Sequence, residues 1–569
     1  MQPAWWQSGV IYQVYPRSFM DSNGDGVGDL PGLLARLDYV QWLGVDAIWL
    51  SPVYPSPMAD FGYDVADFEN VDPVFGTLQD LDQVIEQAHA RGLKVILDYV
   101  PNHTSDEHPW FQHSRLDRTN EKRDWYIWRD PAPGGGPPNN WLSLFGGGSA
   151  WQFDQRTGQY YLHMYDVKQP DLNWRNPQVR QAMYDVVRFW MDRGVDGLRV
   201  DAFAGLIKDE HWRDNPLNER WREGDSDDQR HIRRYTRDLP QVHEPLREMR
   251  QMVDAYGERV LIAELYLPLD RLMLYYGAGL DEAHLPFNFR LVTLAGWEAQ
   301  AIQRLIDSYE EALPANAWPN WVLGNHDKPR VATRVGREQA RIAHMLLLTL
   351  RGTPTCYYGD ELGMLDGNVP PEIMHDPRGK QNPLLSRDNA RTPMQWDSSP
   401  NAGFSTPDAL PWLPVAAEYQ LDNVAREQAD SHSFLTFVHA LLELRRASPA
   451  LQVGSYRSIE QDNTSCFVYQ RELEIQRYLV ALNISNQEQT LHLPIQSDGN
   501  VLLSTHLDRM GRIDLREIQL RKNEGVLIEW ERTRQPAPVT DDLTFEIESP
   551  QEAGTIEADH STLPEPNGE

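Results

Sequence analysis

Residues 195–203 read VDGLRVDAF, and this stretch decides the fold. A short apolar, β-branched run ends abruptly in charged residues, which is the pattern of a buried strand. Just before it, VRQAMYDVVRFWMDRG (179–194) spaces its apolar residues three and four apart, as an amphipathic helix does. Working outward, the same alternation recurs. GVIYQVYP (9–16), VDAIWLSP (45–52) and LKVILDYVP (93–101) precede it. VLIAELY (260–266), LPFNFRL (285–291), NWVLGNHD (320–327) and TPTCYYGDELG (353–363) follow. Helical patterns such as LQDLDQVIEQAHARG (78–92) lie between them. Eight strands joined by helices predict parallel βα units closed into a (β/α)8 TIM barrel. The alternative, an open doubly wound sheet, lacks its Gly-rich dinucleotide fingerprint after the first strand.

Two connections are too long for plain βα loops. About seventy residues follow the third strand, with APGGGPPNN (132–140) and FGGGSAWQFD (145–154) among them. Loops of this length are functional or form a small domain. The expected organisation is barrel over 1–103, inserted domain over 104–172 and barrel again over 173–452. The second barrel part includes a Pro-rich excursion at about 365–430. Short strands with turn signals predict a C-terminal antiparallel β-sandwich over 453–534. The tail over 535–569 has nine Asp or Glu and no Lys or Arg, so disorder is expected there.

Composition narrows the partners. A net charge of −31 argues against nucleic acid and anionic membranes. Seven of the 53 cationic residues are Lys, leaving 46 Arg. No apolar run reaches transmembrane length and no signal peptide is read at the start, so a cytoplasmic protein is expected. Cys356 and Cys466 are far apart in sequence, and a reducing compartment suits them better than a disulfide.

Barrel enzymes carry their reacting groups at the C-terminal ends of strands. The third run ends in Asp98, followed by Asn102 and His103; the fourth carries Arg199 and Asp201; the fifth ends in Glu264; the seventh ends in His326 and Asp327. A single carboxylate at a strand end often only caps the next helix. Four strands ending this way predict one mouth lined by these carboxylates, the two His and the Arg. Arg199 and Asp201 are two residues apart on one strand, so they face the same way.

DYVPNH, GLRVDAF, IAEL and LGNHD, in that order, resemble the four motifs of the α-amylase superfamily, glycoside hydrolase family 13. GYDVADF, QPDLNW, IYQVYPRSFMDSNGDGVGDLPG and ARTPMQWD are similar to its α-glucosidase and oligo-1,6-glucosidase branch. The resemblance implies a retaining, exo-acting α-glucosidase acting on small oligosaccharides, a monomer or homodimer with no organic cofactor. It makes Asp201 the nucleophile, Glu264 the general acid/base and Asp327 the third carboxylate. Glu264 must then begin protonated, while Arg199 keeps Asp201 charged. Tyr63, His103, His326, Ala202 and Phe203 are expected around the sugar. Asp64 and Arg330 are expected to pair at the blind end and block longer chains. Ala202 resembles the α-1,4-preferring enzymes and QPDLNW the α-1,6-preferring ones; the residue beside the nucleophile is given more weight, with mixed activity expected. Glucosyl transfer or sugar isomerisation through the same intermediate is the alternative activity. A non-catalytic binding subunit is the remote one, since the carboxylates are all present.

DSNGDGVGDLPG (21–32) places oxygen-bearing residues at every second position, with Gly26 where a calcium loop turns. The twelfth-position carboxylate of an EF-hand is absent. By resemblance, Asp21, Asn23, Asp25, the Val27 carbonyl and Asp29 hold a structural Ca2+, with Mg2+ as the other candidate.

Overall fold

The computed structural model describes residues 3–146 and 148–530. The acidic tail lies outside these residues. Eight parallel strands form one sheet: β1 (Ile11–Val14), β2 (Ala47–Leu50), β3 (Lys94–Tyr99), β4 (Gly197–Val200), β5 (Val260–Leu265), β6 (Leu285–Asn288), β7 (Asn320–Val322) and β8 (Thr353–Tyr357). Their order is β7-β8-β1-β2-β3-β4-β5-β6. β6 and β7 lie side by side and close the barrel by packing, without a hydrogen-bonded ladder between them. All eight predicted strands are therefore present and in barrel order.

The barrel interior is filled rather than hollow. Ile11, Trp49, Ile96, Ile262, Leu285, Phe287 and Val322 form one buried cluster inside it. A larger apolar layer lies between sheet and helices, so the strands are buried on both faces, as parallel sheets require. The helices start where local chemistry allows. Thr77 and Asp80 form a reciprocal capping box at the start of Leu78–Ala90. Asn176 caps Pro177–Asp192, with proline at the first position. Between β1 and β2 the chain forms two short helices, Leu30–Ala35 and Leu37–Leu43, broken at Arg36.

The insertion after β3 holds a small antiparallel sheet of Trp128–Arg129, Gln159–Leu162 and Trp151–Asp154. Its apolar cluster centres on Trp141 and Trp151. Residues 455–530 form a six-stranded antiparallel sheet and a two-stranded one around a second cluster. Glu517–Leu520 there alternates exposed and buried residues, whereas Ser455–Ser458 and Gly511–Asp514 bury none fully. Among the described residues, no helix is long and apolar enough to cross a membrane. Cys356 and Cys466 are buried and free.

Candidate active site

Strand register sets the site. On the β3–β4 ladder Asp98 lies beside Arg199, and on the β4–β5 ladder Val200 lies beside Ala263. Asp201 and Glu264 therefore leave adjacent strands at the same level. Arg199 is fully buried between them. Its Nη1 contacts Asp98 Oδ1 at 2.7 Å and Asp201 Oδ1 at 2.7 Å, and its Nη2 reaches Glu264 Oε1 at 2.9 Å. One guanidinium thus spans both carboxylates of the expected catalytic pair.

The chain turns sharply after β4. Ala202 has φ 50°, a left-handed conformation that costs a non-glycine residue about 1–3 kcal/mol. The turn aims the Ala202 amide at Glu264 Oε2, 3.0 Å away. Phe203 was expected to face the sugar. Instead it is fully buried and packs edge-on against Tyr275, because the same turn carries it behind the site.

The third carboxylate arrives from the end of β7. Asp327 Oδ1 lies 3.2 Å from Arg387 Nη1 and 3.1 Å from Arg391 Nη2. Tyr63 stacks on His326 with ring centroids 5.2 Å apart, and its hydroxyl is 2.7 Å from His326 Nε2. That hydroxyl also donates to Asp98 at 3.0 Å. His103 Nε2 is 3.0 Å from the Tyr63 carbonyl. Tyr63, His103, Asp201, Glu264, His326, Asp327 and Arg387 line one cavity of about 320 Å³, within the range of small-ligand sites.

The predicted pair of Asp64 and Arg330 does not form. Asp64 is buried in its own turn, accepting from Ser56 Oγ and from the amides of Ala59 and Asp60. Arg330 is also fully buried, donating to the Tyr358 carbonyl at 2.6 Å and pairing with Asp360 at 3.1 Å. Both serve the fold. The charged pair on the cavity wall is Asp60 with Arg387, at 2.6 Å. Asp376 holds Arg387 from behind at 2.6 Å. Asp60 lies four residues before Asp64, and Arg387 three residues before ARTPMQWD, so both sat beside motifs already singled out. Phe145, from the inserted segment, faces the Arg387 guanidinium at 5.2 Å.

Burial, then the charge of Glu264, pushes Asp201 well above the ordinary carboxylate range, with Arg199 opposing. The expectation placed this raised affinity on Glu264. The raised affinity falls on Asp201, which shares the Arg199 guanidinium with Glu264. Burial would raise Asp327 too, but the Arg387 and Arg391 guanidiniums beside it outweigh that and hold Asp327 well below its usual range. Burial also depresses His326 to about 3 and His103 to about 4. Both imidazoles are then neutral near pH 7, and the two arginines keep Asp327 charged.

The metal-loop residues lie between β1 and the first barrel helix. Asp21 accepts from the amides of Asn23, Gly24 and Gly26, and Asp25 accepts from Val27. Asp29 caps the helix through the Gly32 amide. Gly26 has φ 89°, and a Cβ there would lie 2.0 Å from the Leu410 carbonyl, so only glycine fits. Among the described residues no group of three His, Cys, Asp or Glu side chains is gathered around a metal position.

Residues 13–454 match the family described as "Alpha amylase, catalytic domain". The chain is 38% identical over 553 residues to an oligo-1,6-glucosidase of Heyndrickxia coagulans, covering 89% of this chain and 96% of that protein. It is 40% identical over 554 residues to maltase 1 of Drosophila virilis, covering 92% and 87%. Among solved structures, an alpha-glucosyl transfer enzyme, XgtA, superposes with a TM-score of 0.88 at 41% identity, covering 93% of this chain and all of that one. A trehalulose synthase variant superposes at 0.85 with 35% identity over the same shares.

Proposed function

The chain belongs to the α-amylase family of glycoside hydrolases, and from that membership we propose that it is a retaining, exo-acting α-glucosidase. It releases α-glucose from the non-reducing end of short α-glucosides. The observation that carries this reading is the Arg199 guanidinium bridging Asp201 and Glu264. Its width favours the separation of roughly 5–5.5 Å used by retaining enzymes over the roughly 6.5–9.5 Å that leaves room for water in inverting ones.

The first step forms a bond between an Asp201 oxygen and the anomeric carbon. The bond to the aglycone oxygen breaks, and that oxygen takes the proton from Glu264. The proton must therefore stand on Glu264 when the substrate is bound. Arg199 works towards that state by lowering the proton affinity of Asp201 against the burial that raises it. In the second step Glu264 takes a proton from water, the resulting hydroxide attacks the same carbon, and Asp201 is freed. Each step inverts the centre, so the product keeps the α configuration. Asp327, ionised between two arginines, suits sugar hydroxyls and the positive charge that develops at the ring. The Asp60–Arg387 pair closes the wall, which supports attack at chain ends.

Supporting a second reading, XgtA is named as a glucosyl transfer enzyme. Transfer needs only that a sugar hydroxyl replace water in the second step. A proton NMR time course with maltose and isomaltose, run beside Asp201→Asn, separates the two. Early α-glucose, abolished in the variant, supports hydrolysis; new disaccharide signals without free glucose would replace it by transfer or isomerisation. We place α-1,4 bonds first because Ala202 lines the cavity beside Asp201. One methyl-sized difference there changes discrimination by only about 1–3 kcal/mol, so α-1,6 turnover accompanies it.

We further propose that Asp21, Asn23, Asp25, the Val27 carbonyl and Asp29 hold a structural Ca2+. The donors are all oxygen, which suits a hard cation, and the loop already turns around Asp21. Chelation is expected to lower Tm while folded protein keeps turning over; complete loss of activity in a folded, chelated sample would contradict the structural role. The two buried, free cysteines suit a reducing compartment, and we place the enzyme in the cytoplasm.

A further inference from the structure

The reacting end of the cavity and its outer part differ in how their charges are met. At the reacting end every cation has a carboxylate partner: Arg199, Arg387 and Arg391 all make ion pairs there. The outer part presents four more cations. Arg233 and Arg237 come from the segment after β4, Lys328 follows β7, and Arg378 lies on the short helix Pro377–Gln381 after β8. Among the described residues, none of these four side chains forms an ion pair. Arg237 donates only to the Tyr266 carbonyl, and Lys328 sits 5.2 Å from the centre of the Tyr266 ring. The acidic residue that joins them on the outer wall, Asp228, is engaged by the Ser226 hydroxyl.

Two of these cations, Lys328 and Arg237, carry a burial cost that nearby acidic groups offset only in part. Burial lowers Lys328 below the usual lysine range and Arg237 to about 10. Three separate loops bring unpaired positive charge to one opening, in a protein whose net charge is −31. Repulsion from the remote negative surface is screened beyond roughly 8 Å at physiological salt, so the nearby cations dominate. Guanidinium groups bind carboxylate and phosphate oxygens through paired, charge-assisted hydrogen bonds.

We propose that the aglycone side of this pocket is an oxyanion site, so that preferred substrates are α-glucosides whose aglycone carries a carboxylate or phosphate. The inference rests on the α-glucosidase reading of the same pocket. It also sets a polarity. An oxyanion on the glucose being released would meet Asp60 and Asp327 at the closed end, whereas one on the leaving group meets Arg233 and Arg378. Arg233 and Arg378 are the primary contacts, because Arg237 and Lys328 are already committed to Tyr266.

A matched pair of ligands tests this: 2-O-α-glucosylglycerate and 2-O-α-glucosylglycerol, which differ by one carboxylate. Calorimetry on the Asp201→Asn protein measures binding without turnover. Binding of the glycerate about tenfold tighter or more is expected, with the advantage shrinking as ionic strength rises. The Arg233→Gln/Arg378→Gln double variant, built on Asp201→Asn, is expected to bring the ratio of the two affinities towards one. Equal or weaker binding of the glycerate overturns the oxyanion site, as does a ratio unmoved by salt and by the double variant. Maltose phosphorylated on its reducing or on its non-reducing glucose separates phosphate from carboxylate recognition; tighter binding of the non-reducing-end isomer would contradict the polarity. Glucose release from maltose by the unmodified enzyme reports on the α-glucosidase reading alone, so the two can fail separately.

Discussion

Arg199 and Arg330 look alike in sequence and differ entirely in use. Each is fully buried, and each lies within three residues of an aspartate that lines the cavity. Arg199 shares a strand face with Asp201, so strand geometry forces it onto the reacting carboxylates. Arg330 stands three residues beyond Asp327 in a loop, where no period fixes direction. It turns away from the sugar and inserts between Tyr357 and Tyr358, both rings 4.8 Å from its guanidinium carbon, to reach Asp360. A buried arginine near a catalytic aspartate is therefore evidence of function only where the backbone dictates its aim.

Substitutions can break this comparison. The largest effect is expected from Arg330→Leu, which leaves Asp360 buried without its partner. Losing one side of a buried pair costs about 3–5 kcal/mol. Chemical denaturation should show that loss, while KM for maltose below the melting temperature stays near the unmodified value. A large change in KM with little loss of stability would return Arg330 to the pocket. Next comes Arg387→Gln, the true partner on the cavity wall. A fall of roughly 10²-fold in kcat/KM for maltose is expected, the scale of removing one well-placed donor. A variant with unchanged kcat/KM would show that the Asp60–Arg387 pair is only structural.

The smallest effect concerns Asp360. Burial pushes its carboxyl up to about 7, with Arg330 opposing. A folded value above the unfolded one means that the folded state binds the proton more tightly. The stability contributed is present below about pH 4 and is lost as pH rises towards 7. Asp360→Asn should flatten the decline of stability across that window and leave kcat/KM unchanged. An unaltered pH profile would remove Asp360 from the balance.

These contrasts also explain what could be read in advance. Eight strands were legible because each is a short apolar run between helices of clear period. Asp201, Glu264, Asp327, His103 and His326 were legible because they end those runs, where a barrel must place its chemistry. Asp60 and Arg387 were not, since they sit in long connections and meet only when the barrel closes. Asp64 was misread because a buried aspartate that caps its own turn has the same sequence appearance as one that meets a substrate. Phe203 was misread because nothing in the sequence announces the left-handed turn at Ala202. The unpaired cations of the outer pocket were likewise invisible, for they come from three loops far apart in the chain.

The central claim is that Asp201 forms the covalent bond to glucose while Glu264 moves the proton. Incubating the enzyme with 5-fluoro-α-glucosyl fluoride, digesting it and mapping the label by mass spectrometry tests this directly. The account predicts one fluoroglucosyl unit on the peptide that contains Asp201, with the modified oxygen on that side chain. A label on Glu264, or turnover of the reagent without any trapped intermediate, would contradict it.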